Sequence, residues 1–170
     1  RLEGSKAFAK RFMTRHGIPT AAYRVFDDAG AATRYLLSEE AAYPLVVKAD
    51  GLAAGKGVVL AHDPESAVDA SEGMLSGLAF GEAGRPVVVE EMLRGREASF
   101  FVLTDGERAL ELATCQDYKR ALDGDRGPNT GGMGAFSPSP LVDAPMRDRV
   151  LDEIVLPTLR GMEAEGRRYV

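Results

Sequence analysis

The sequence predicts an α+β fold with antiparallel strands. In its first half, segments with helical periodicity alternate with short runs of aliphatic and β-branched residues. In its second half, Asp105 and Gly106 separate two such runs and form a strong hairpin signal, because both residues tolerate a positive φ angle. A hairpin joins antiparallel strands, so we expect an antiparallel sheet in the second half.

The first half contains predicted elements in the order helix, strand, helix, hairpin, helix and strand. Ser5 suits the N-cap of the first helix, and Gly17 suits its C-terminal stop. Asp63 and Pro64 indicate another helix start, because aspartate caps helices and proline is tolerated in the first turn. The expected bounds are, in order, 5–16, 21–26, 28–37, 45–47 with 58–60 as the hairpin, 63–75 and 86–91.

The second half begins with the predicted hairpin strands, 98–103 and 107–114. A long polar segment, from Asp117 to Pro140, follows them. A loop of this length in a compact domain is usually functional or disordered. Helix signals resume from Asp143 to about Glu165. We therefore expect a hairpin, a long loop and a helix.

Composition and charge restrict the classes of function. The chain has 170 residues, a hydrophobic content of 45% and a formal net charge of −5, which argues against binding to a nucleic-acid backbone. The single cysteine, Cys115, excludes an internal disulfide and is typical of a reducing compartment. No apolar run approaches the ~20 residues of a membrane span, and no signal-peptide pattern opens the chain. We expect a cytoplasmic protein with small-molecule ligands and no nucleic-acid or membrane partner.

The segment from Pro44 to Leu60 has the composition of a polyphosphate-binding hairpin. Two apolar runs flank a loop with glycines at positions 51, 55 and 57, which let backbone N–H groups approach an anion closely. Lys48 and Lys56 supply positive charge. A strand-to-helix P-loop is excluded, because Asp50 and Gly57 stand where that motif needs a glycine and a hydroxyl. An ordinary glycine-rich hairpin loop with solvated lysines is the alternative.

Three glutamates near the next strand are candidates for contacts with a nucleotide. Glu90 and Glu91 are neighbours in a strand and point to opposite faces, so at most one of them faces a pocket. The backbone of residues 92–95 could bind the edge of a base, and Glu97 could accept hydrogen bonds from ribose hydroxyls. A plain charged strand end and an arginine salt bridge are the alternatives.

The polar segment after the second hairpin suits another anionic ligand. It combines Asp117, Lys119 and Arg120 with the glycine-rich run 127–134, which offers amide and hydroxyl donors. A flexible surface loop is the alternative. His16 and His62 are isolated, and no His/Cys spacing typical of a metal site occurs.

Four strings of residues resemble a known family: LEGSKAFAK, VVKADGLAAGKGVVLA, VVVEEMLRGREASF and QDYKRALDGDRGPNTGGMGAFSPSP. They are similar to glycinamide ribonucleotide synthetase, also called phosphoribosylamine-glycine ligase, an ATP-grasp enzyme family of purine biosynthesis. The resemblance runs from Leu2 to the end of the chain. It implies an ATP-grasp core with a lead-in at 1–44, a small nucleotide-clamping subdomain at 45–93 and the first part of a larger antiparallel subdomain at 94–170.

The resemblance also implies two groups of site residues. For ATP, the phosphates would be contacted by Lys6, Lys48, Gly51, Gly55, Lys56 and Gly57, of which Lys48 and Lys56 would be catalytic. The adenine would be read by the backbone of Glu91 and Leu93, with Glu90 at its amino edge, and Glu97 would hold the ribose. For glycine and the phosphoribosyl substrate, the implied residues are Asp117, Lys119, Asn129, Thr130, Gly131, Gly132 and Met133.

The reaction implied by the resemblance joins glycine to 5-phosphoribosylamine through glycyl phosphate, with ATP and Mg²⁺. The metal-binding Glu and Asn of the family lie C-terminal to this chain, so we expect no metal ligand within it. The sequence starts at Arg1 rather than methionine and stops at Val170, in a run whose composition is typical of the start of a strand. We therefore expect a segment of a longer protein that is inactive by itself. Another ATP-grasp carboxylate-amine ligase and a noncatalytic nucleotide-binding module are the alternatives.

Overall fold

The computed structural model contains two compact units, Arg1–Leu93 and Arg94–Val170. It describes residues 2–51, 57–77, 85–124 and 126–169. Each unit combines helices with antiparallel strands, which confirms the predicted α+β class.

Within its described residues, the first unit contains four strands and three helices. The strands are β1 (Tyr23–Phe26), β2 (Leu45–Ala49), β3 (Val58–Ala61) and β4 (Val87–Glu91). The helices are α1 (Lys6–Arg15), α2 (Ala29–Leu36) and α3 (Pro64–Leu75). The strands form one antiparallel sheet in the order β1-β4-β2-β3. The element order and the β2–β3 hairpin confirm the prediction for the first half.

The two faces of this sheet differ in chemistry. One face packs with α2 and α3 in an apolar core, to which the central strands contribute Leu45, Val47, Val87 and Val89. Side chains alternate along a strand, so Lys48 and Glu90 point to the opposite face. That face is the one α1 lies against, and Phe12 of α1 is 1% exposed. The sheet therefore places two charged side chains beneath a helix.

The helices of the first unit begin at side chains that cap them. Ser5 Oγ accepts a hydrogen bond from the Phe8 amide at 3.0 Å, and Asp63 Oδ1 accepts one from the Ser66 amide at 2.8 Å. Each bond satisfies an amide that has no partner within its helix. Both predicted helix starts are confirmed.

The described part of the second unit contains two antiparallel hairpins. β5 (Val102–Thr104) and β6 (Ala109–Glu111) flank Asp105 and Gly106, as predicted, although both strands are shorter than expected. Gly106 has a φ angle of 89°, which explains why a glycine is favoured in this turn. The second hairpin joins β7 (Gln116–Leu122) to β8 (Arg126–Phe136).

The second hairpin shows that the prediction of a long loop from Asp117 to Pro140 was wrong. Backbone pairing continues from the ends of the hairpin to Leu122 and Arg126, with register shifts on both sides of Arg120. The glycine-rich composition concealed the strand, because glycine is depleted in strands. Gly124, with a φ angle of 73°, follows Asp123 beside the turn, and this Asp-Gly pair was the available hairpin signal.

The predicted C-terminal helix contains an unexpected π-helical turn. α4 (Ala144–Val150), the π turn Leu151–Val155 and α5 (Leu156–Ala164) follow one another directly. Pro157 lies just after the π turn and has no amide hydrogen to donate, which favours a local change in the helical hydrogen-bond pattern. Among the described residues, no helix combines the length and the apolar character that a membrane span needs.

Candidate functional site

Three charged side chains, two of them buried and the third half-buried, meet between α1 and the sheet of the first unit. Lys10 Nζ lies 2.5 Å from Glu90 Oε2, and Lys48 forms an ion pair with Glu90 Oε1. The exposed fraction is 11% for Lys10, 27% for Lys48 and 6% for Glu90. We call these three residues the lysine–glutamate cluster. Two ammonium groups share one carboxylate, so the ionised cluster keeps a surplus positive charge.

Strand register and helix position bring the cluster together. Lys48 of β2 is paired with Val88 of β4, which places it diagonally to Glu90 on the same face of adjacent strands. Lys10 approaches the same carboxylate from α1. Each lysine therefore meets a different oxygen of Glu90.

The two lysines differ in how firmly the protein holds them. Lys10 Nζ also donates hydrogen bonds to Thr20 Oγ1 at 2.8 Å and to the Ala21 carbonyl at 3.4 Å, and it lies 5.7 Å from the centre of the Tyr23 ring. Lys48 is more exposed, and within the described residues its ion pair is with Glu90. Lys10 is thus a fixed charge, whereas Lys48 is the more accessible one.

Burial lowers the pKa of both lysines. For Lys48, lost hydration is the main cause, and the ammonium groups of Lys10 and Lys6 lower its pKa further. Burial also dominates the lowered pKa of Lys10, with partial compensation from Tyr23 and Glu91. An anion beside Lys48 would stabilise the charged ammonium and raise its pKa again. The cluster therefore favours an anionic ligand.

Lys6 holds the end of β2, where the glycine loop begins. Its Nζ donates to the carbonyls of Ala49 at 2.8 Å, Asp50 at 3.4 Å and Gly51 at 2.9 Å. These bonds fix the first residue of the loop against α1. The predicted contact of Lys6 with phosphate stays a prediction, since its ammonium is directed to carbonyl oxygens in this structure.

Asp50 anchors the start of α1 to the same strand end. The residue is 8% exposed, and its Oδ1 accepts hydrogen bonds from the Ala7 amide at 2.6 Å and the Ser5 hydroxyl at 3.0 Å. The Ala7 amide lies in the first turn of the helix, where amides have no partner within the helix. Asp50 therefore links the loop entrance to the helix that carries Lys10.

Asp50→Ala is expected to lower the free energy of unfolding by about 2–3 kcal/mol, because it leaves a buried amide unpaired. Asp63→Ala is the matched control, since Asp63 caps an exposed helix start and its removal should cost less than that of Asp50. Urea unfolding followed by circular dichroism measures both losses. Equal losses in the two variants would contradict the anchoring role of Asp50.

The predicted phosphate loop lies only partly within the described residues. The Gly57 carbonyl accepts a hydrogen bond from the Ala49 amide at 2.9 Å and closes the β2–β3 hairpin, while Gly51 is bonded to Lys6. Gly55 and Lys56 belong to the stretch 52–56, which lies outside the described residues. The phosphate-binding role of this loop stays a prediction.

Glu90 and Glu91 differ sharply in burial, as expected for neighbours in a strand. Glu91 is exposed, and its Oε1 accepts a hydrogen bond from the Ala22 amide at 2.8 Å. Its own amide donates to the Ala22 carbonyl at 3.0 Å. Leu93 lies beyond β4 and is 68% exposed. The Glu90 carboxylate is engaged by lysines, and the adenine contacts of these residues stay predictions.

The β7–β8 hairpin brings together several residues predicted to bind the other substrates. Asp117 and Lys119 form an ion pair of 3.4 Å, and Thr130 Oγ1 donates to the Lys119 carbonyl at 3.0 Å. The Gly132 amide donates to Thr130 Oγ1 at 3.1 Å. The bond from Thr130 to Lys119 links the two strands, while the other two contacts lie within a single strand.

The remaining residues of the second unit that were predicted to bind ligands are characterised by their exposure or, for Asn129, by its backbone pairing. The backbone of Asn129 is paired with Arg120. Gly131, Met133 and Glu97 are exposed. Their roles toward ribose, glycine or the phosphoribosyl substrate stay predictions.

Sequence reasoning did not identify Lys10 or Asp50. Lysine and aspartate are mostly exposed, so a buried structural contact is not the first expectation for either. One signal was available for Lys10, because it lies one helical turn after Lys6 and therefore on the same helix face. Its pairing with Glu90 depends on how α1 packs on β4.

A magnesium site requires several oxygen ligands, of which carboxylates are the most common charged type. Within the described ranges, no group of three or more His, Cys, Asp or Glu side chains is placed to hold a metal ion. The Glu90 carboxylate is already engaged by two ammonium groups. The described residues do not fit a magnesium site, and we assign no ligand to this metal.

Known proteins can be aligned with nearly the whole length of this chain. The family model described as phosphoribosylglycinamide synthetase, ATP-grasp (A) domain, matches residues 4–170. The curated phosphoribosylamine–glycine ligase of Pseudomonas aeruginosa is 58% identical over 168 residues, which cover 99% of this chain and 39% of that protein. The chain thus spans well under half the length of the curated relatives it matches.

Solved structures share the fold. The crystal structure of phosphoribosylamine–glycine ligase from Thermotoga maritima matches with a TM-score of 0.82 and 39% identity, covering 99% of this chain and 42% of that one. The biotin carboxylase domain of Hydrogenobacter thermophilus 2-oxoglutarate carboxylase, solved with MgADP, matches with a TM-score of 0.71 and 22% identity. The match covers 94% of this chain and 34% of that one, and at this identity it shows the fold alone. Because this family model matches almost the full length of the chain, the chain belongs to the phosphoribosylglycinamide synthetase ATP-grasp domain family.

Proposed function

We propose that the polypeptide carrying this chain is an ATP-dependent ligase that joins glycine to 5-phosphoribosylamine, and that this chain forms its ATP-binding region. The lysine–glutamate cluster carries the proposal, because it is a buried site with surplus positive charge in a chain of this family. A partly buried ammonium attracts phosphate oxygens more strongly than a solvated one. The glycine loop between β2 and β3 would add backbone N–H donors for the same anion.

In the proposed reaction, a glycine carboxylate oxygen bonds to the γ-phosphorus of ATP, and ADP leaves. The amine of 5-phosphoribosylamine then bonds to the carbonyl carbon of glycyl phosphate, the bond to phosphate breaks, and the nitrogen loses a proton. Negative charge is spread over the phosphoryl oxygens in the first step, and fixed positive charges stabilise it without reorganisation. We assign this task to Lys48, with Lys56 as the second cation expected from the loop.

The finer assignments rest on the family resemblance. We propose that the backbone of Glu91 and Leu93 contacts adenine, that Glu97 contacts ribose, and that the β7–β8 hairpin serves glycine and 5-phosphoribosylamine. The single cysteine supports a reducing compartment such as the cytoplasm.

The test is ADP formation by the full-length polypeptide that carries this sequence, in the presence of ATP and Mg²⁺. Glycine and 5-phosphoribosylamine are each omitted in turn, and we expect ADP release to require both. Release that requires another carboxylate or amine would overturn the substrate assignment and retain the use of ATP. ATP binding without turnover on any such pair would contradict the ligase and favour a noncatalytic nucleotide-binding module.

A further inference from the structure

We propose that Lys10 is a positioning residue for nucleotide binding, which neutralises the buried Glu90 carboxylate and thereby leaves the charge of Lys48 available to phosphate. The inference rests on the proposed ATP-binding function. It adds to that function a residue that neither the sequence motifs nor the family resemblance assigned.

The Glu90 side chain is buried, with an exposed fraction of 6%. A buried carboxylate needs a compensating charge. If Lys48 were the sole partner of Glu90, the pair would be neutral. A phosphate could then bind the Lys48 ammonium only if the buried Glu90 carboxylate lost its partner charge. A second ammonium removes this conflict.

Lys10 provides this second ammonium group at Glu90 Oε2, the oxygen other than the one that Lys48 contacts. Glu90 Oε2 is buried and receives no hydrogen bond of good geometry from the described residues. Lys10 Nζ lies 2.5 Å from this atom, so its charge compensates Oε2 directly. Lys48 contacts the other oxygen, Oε1. Lys48 can therefore move toward a ligand while the carboxylate remains paired.

Lys10 itself is unsuited to be the phosphate ligand. Its side chain is 11% exposed, and Thr20, Ala21 and Tyr23 hold its ammonium inside the protein. Moving it to a ligand would break these contacts and uncover Glu90 Oε2. Lys10 therefore acts by neutralising Glu90, so that the positive charge of Lys48 is available to the nucleotide phosphates.

The experiment compares ATP and adenosine binding to the full-length polypeptide by isothermal titration calorimetry. We expect Lys10→Met to weaken ATP binding about tenfold or more, the scale of one hydrogen bond to a charged group. Adenosine lacks phosphates, so its affinity should stay within about twofold. Arg11→Met is the matched control, because Arg11 is an exposed residue of the same helix.

A double-mutant cycle separates this role from a merely structural one. If Lys10 acts by neutralising Glu90, then Lys10→Met should change ATP affinity less than about threefold in a Glu90→Gln background. The same loss in both backgrounds would overturn the proposal, and so would equal losses for ATP and adenosine. Circular dichroism confirms folding, and in the double variant residue 90 no longer carries a carboxylate that the loss of Lys10 could leave unpaired.

The two proposals fail in distinguishable ways. If the unmodified polypeptide does not bind ATP, the proposed function is wrong and this inference falls with it. If the unmodified polypeptide binds ATP and Lys10→Met binds it equally well, the inference about Lys10 alone is wrong.

Discussion

Lys48→Ala in the full-length polypeptide is expected to weaken ATP binding roughly 10- to 100-fold, which corresponds to about 1.5–3 kcal/mol for hydrogen bonds to a charged group. The substitution removes the accessible cation of the lysine–glutamate cluster. Lys10 remains and pairs with Glu90, so the local surplus of positive charge disappears. Isothermal titration calorimetry with ATP and Mg²⁺ measures the change directly.

Arg24→Ala is the control for this prediction. Arg24 is a cation of the same sheet, but its side chain is 55% exposed and its partner Glu40 is 66% exposed. Exposed ion pairs contribute little, so ATP affinity should stay within about twofold of the unmodified protein. Unchanged ATP affinity in Lys48→Ala would contradict the phosphate-binding assignment and support an ordinary hairpin in which Lys48 serves only as a partner of Glu90.

Glu90→Gln is expected to lower the free energy of unfolding by about 3–5 kcal/mol at neutral pH, the usual cost of leaving a buried charge without its partner. The substitution keeps the size of the side chain and removes the charge that both buried lysines share. Urea unfolding followed by circular dichroism measures the loss. Glu40→Gln is the matched control, because Glu40 pairs with Arg24 at the surface, and we expect it to cost less than about 0.5 kcal/mol.

The loss in Glu90→Gln should shrink as the pH rises. Burial lowers the pKa of Lys10 and Lys48 in the folded protein, and removal of the carboxylate lowers it further. Between this lowered pKa and the ordinary lysine pKa of about 10.4, the unfolded chain binds more protons than the folded one. The free energy of unfolding therefore rises with pH by more in the variant, whose lysine pKa is lowered further, than in the unmodified protein, and the difference between them shrinks. A loss that is independent of pH would contradict the coupling of both lysines to Glu90.

Most of the first unit could be predicted from local signals. Ser5 and Asp63 could be predicted as helix caps, because each forms a hydrogen bond with an amide only three residues further along the chain. The β2–β3 hairpin is similarly local, since its two strands are separated by a single short loop. The β7–β8 hairpin was missed because its glycines reduce strand propensity, although Asp123 and Gly124 marked the turn.

The candidate site was predicted in part. Strand alternation correctly separated Glu90 from Glu91, and the apolar run before Lys48 placed that lysine at the end of a strand, which continues to Ala49. The pairing of Lys48 with Glu90 was not predicted, because it depends on β4 lying beside β2 in the sheet. No local pattern specifies which distant strand becomes the neighbour.

The sequence by itself determined the α+β class, the helix starts, the position of Lys48 near the entrance of a glycine loop, and the family resemblance. These features depend on residue order over short distances or on strings of residues that can be matched directly. The tertiary structure alone decided that Lys10 and Lys48 share one buried carboxylate, and that Asp50 anchors α1. The physical reason is that burial and pairing of charges arise only when α1, β2 and β4 pack together, since lost hydration then makes each charge depend on partners that are distant in the chain.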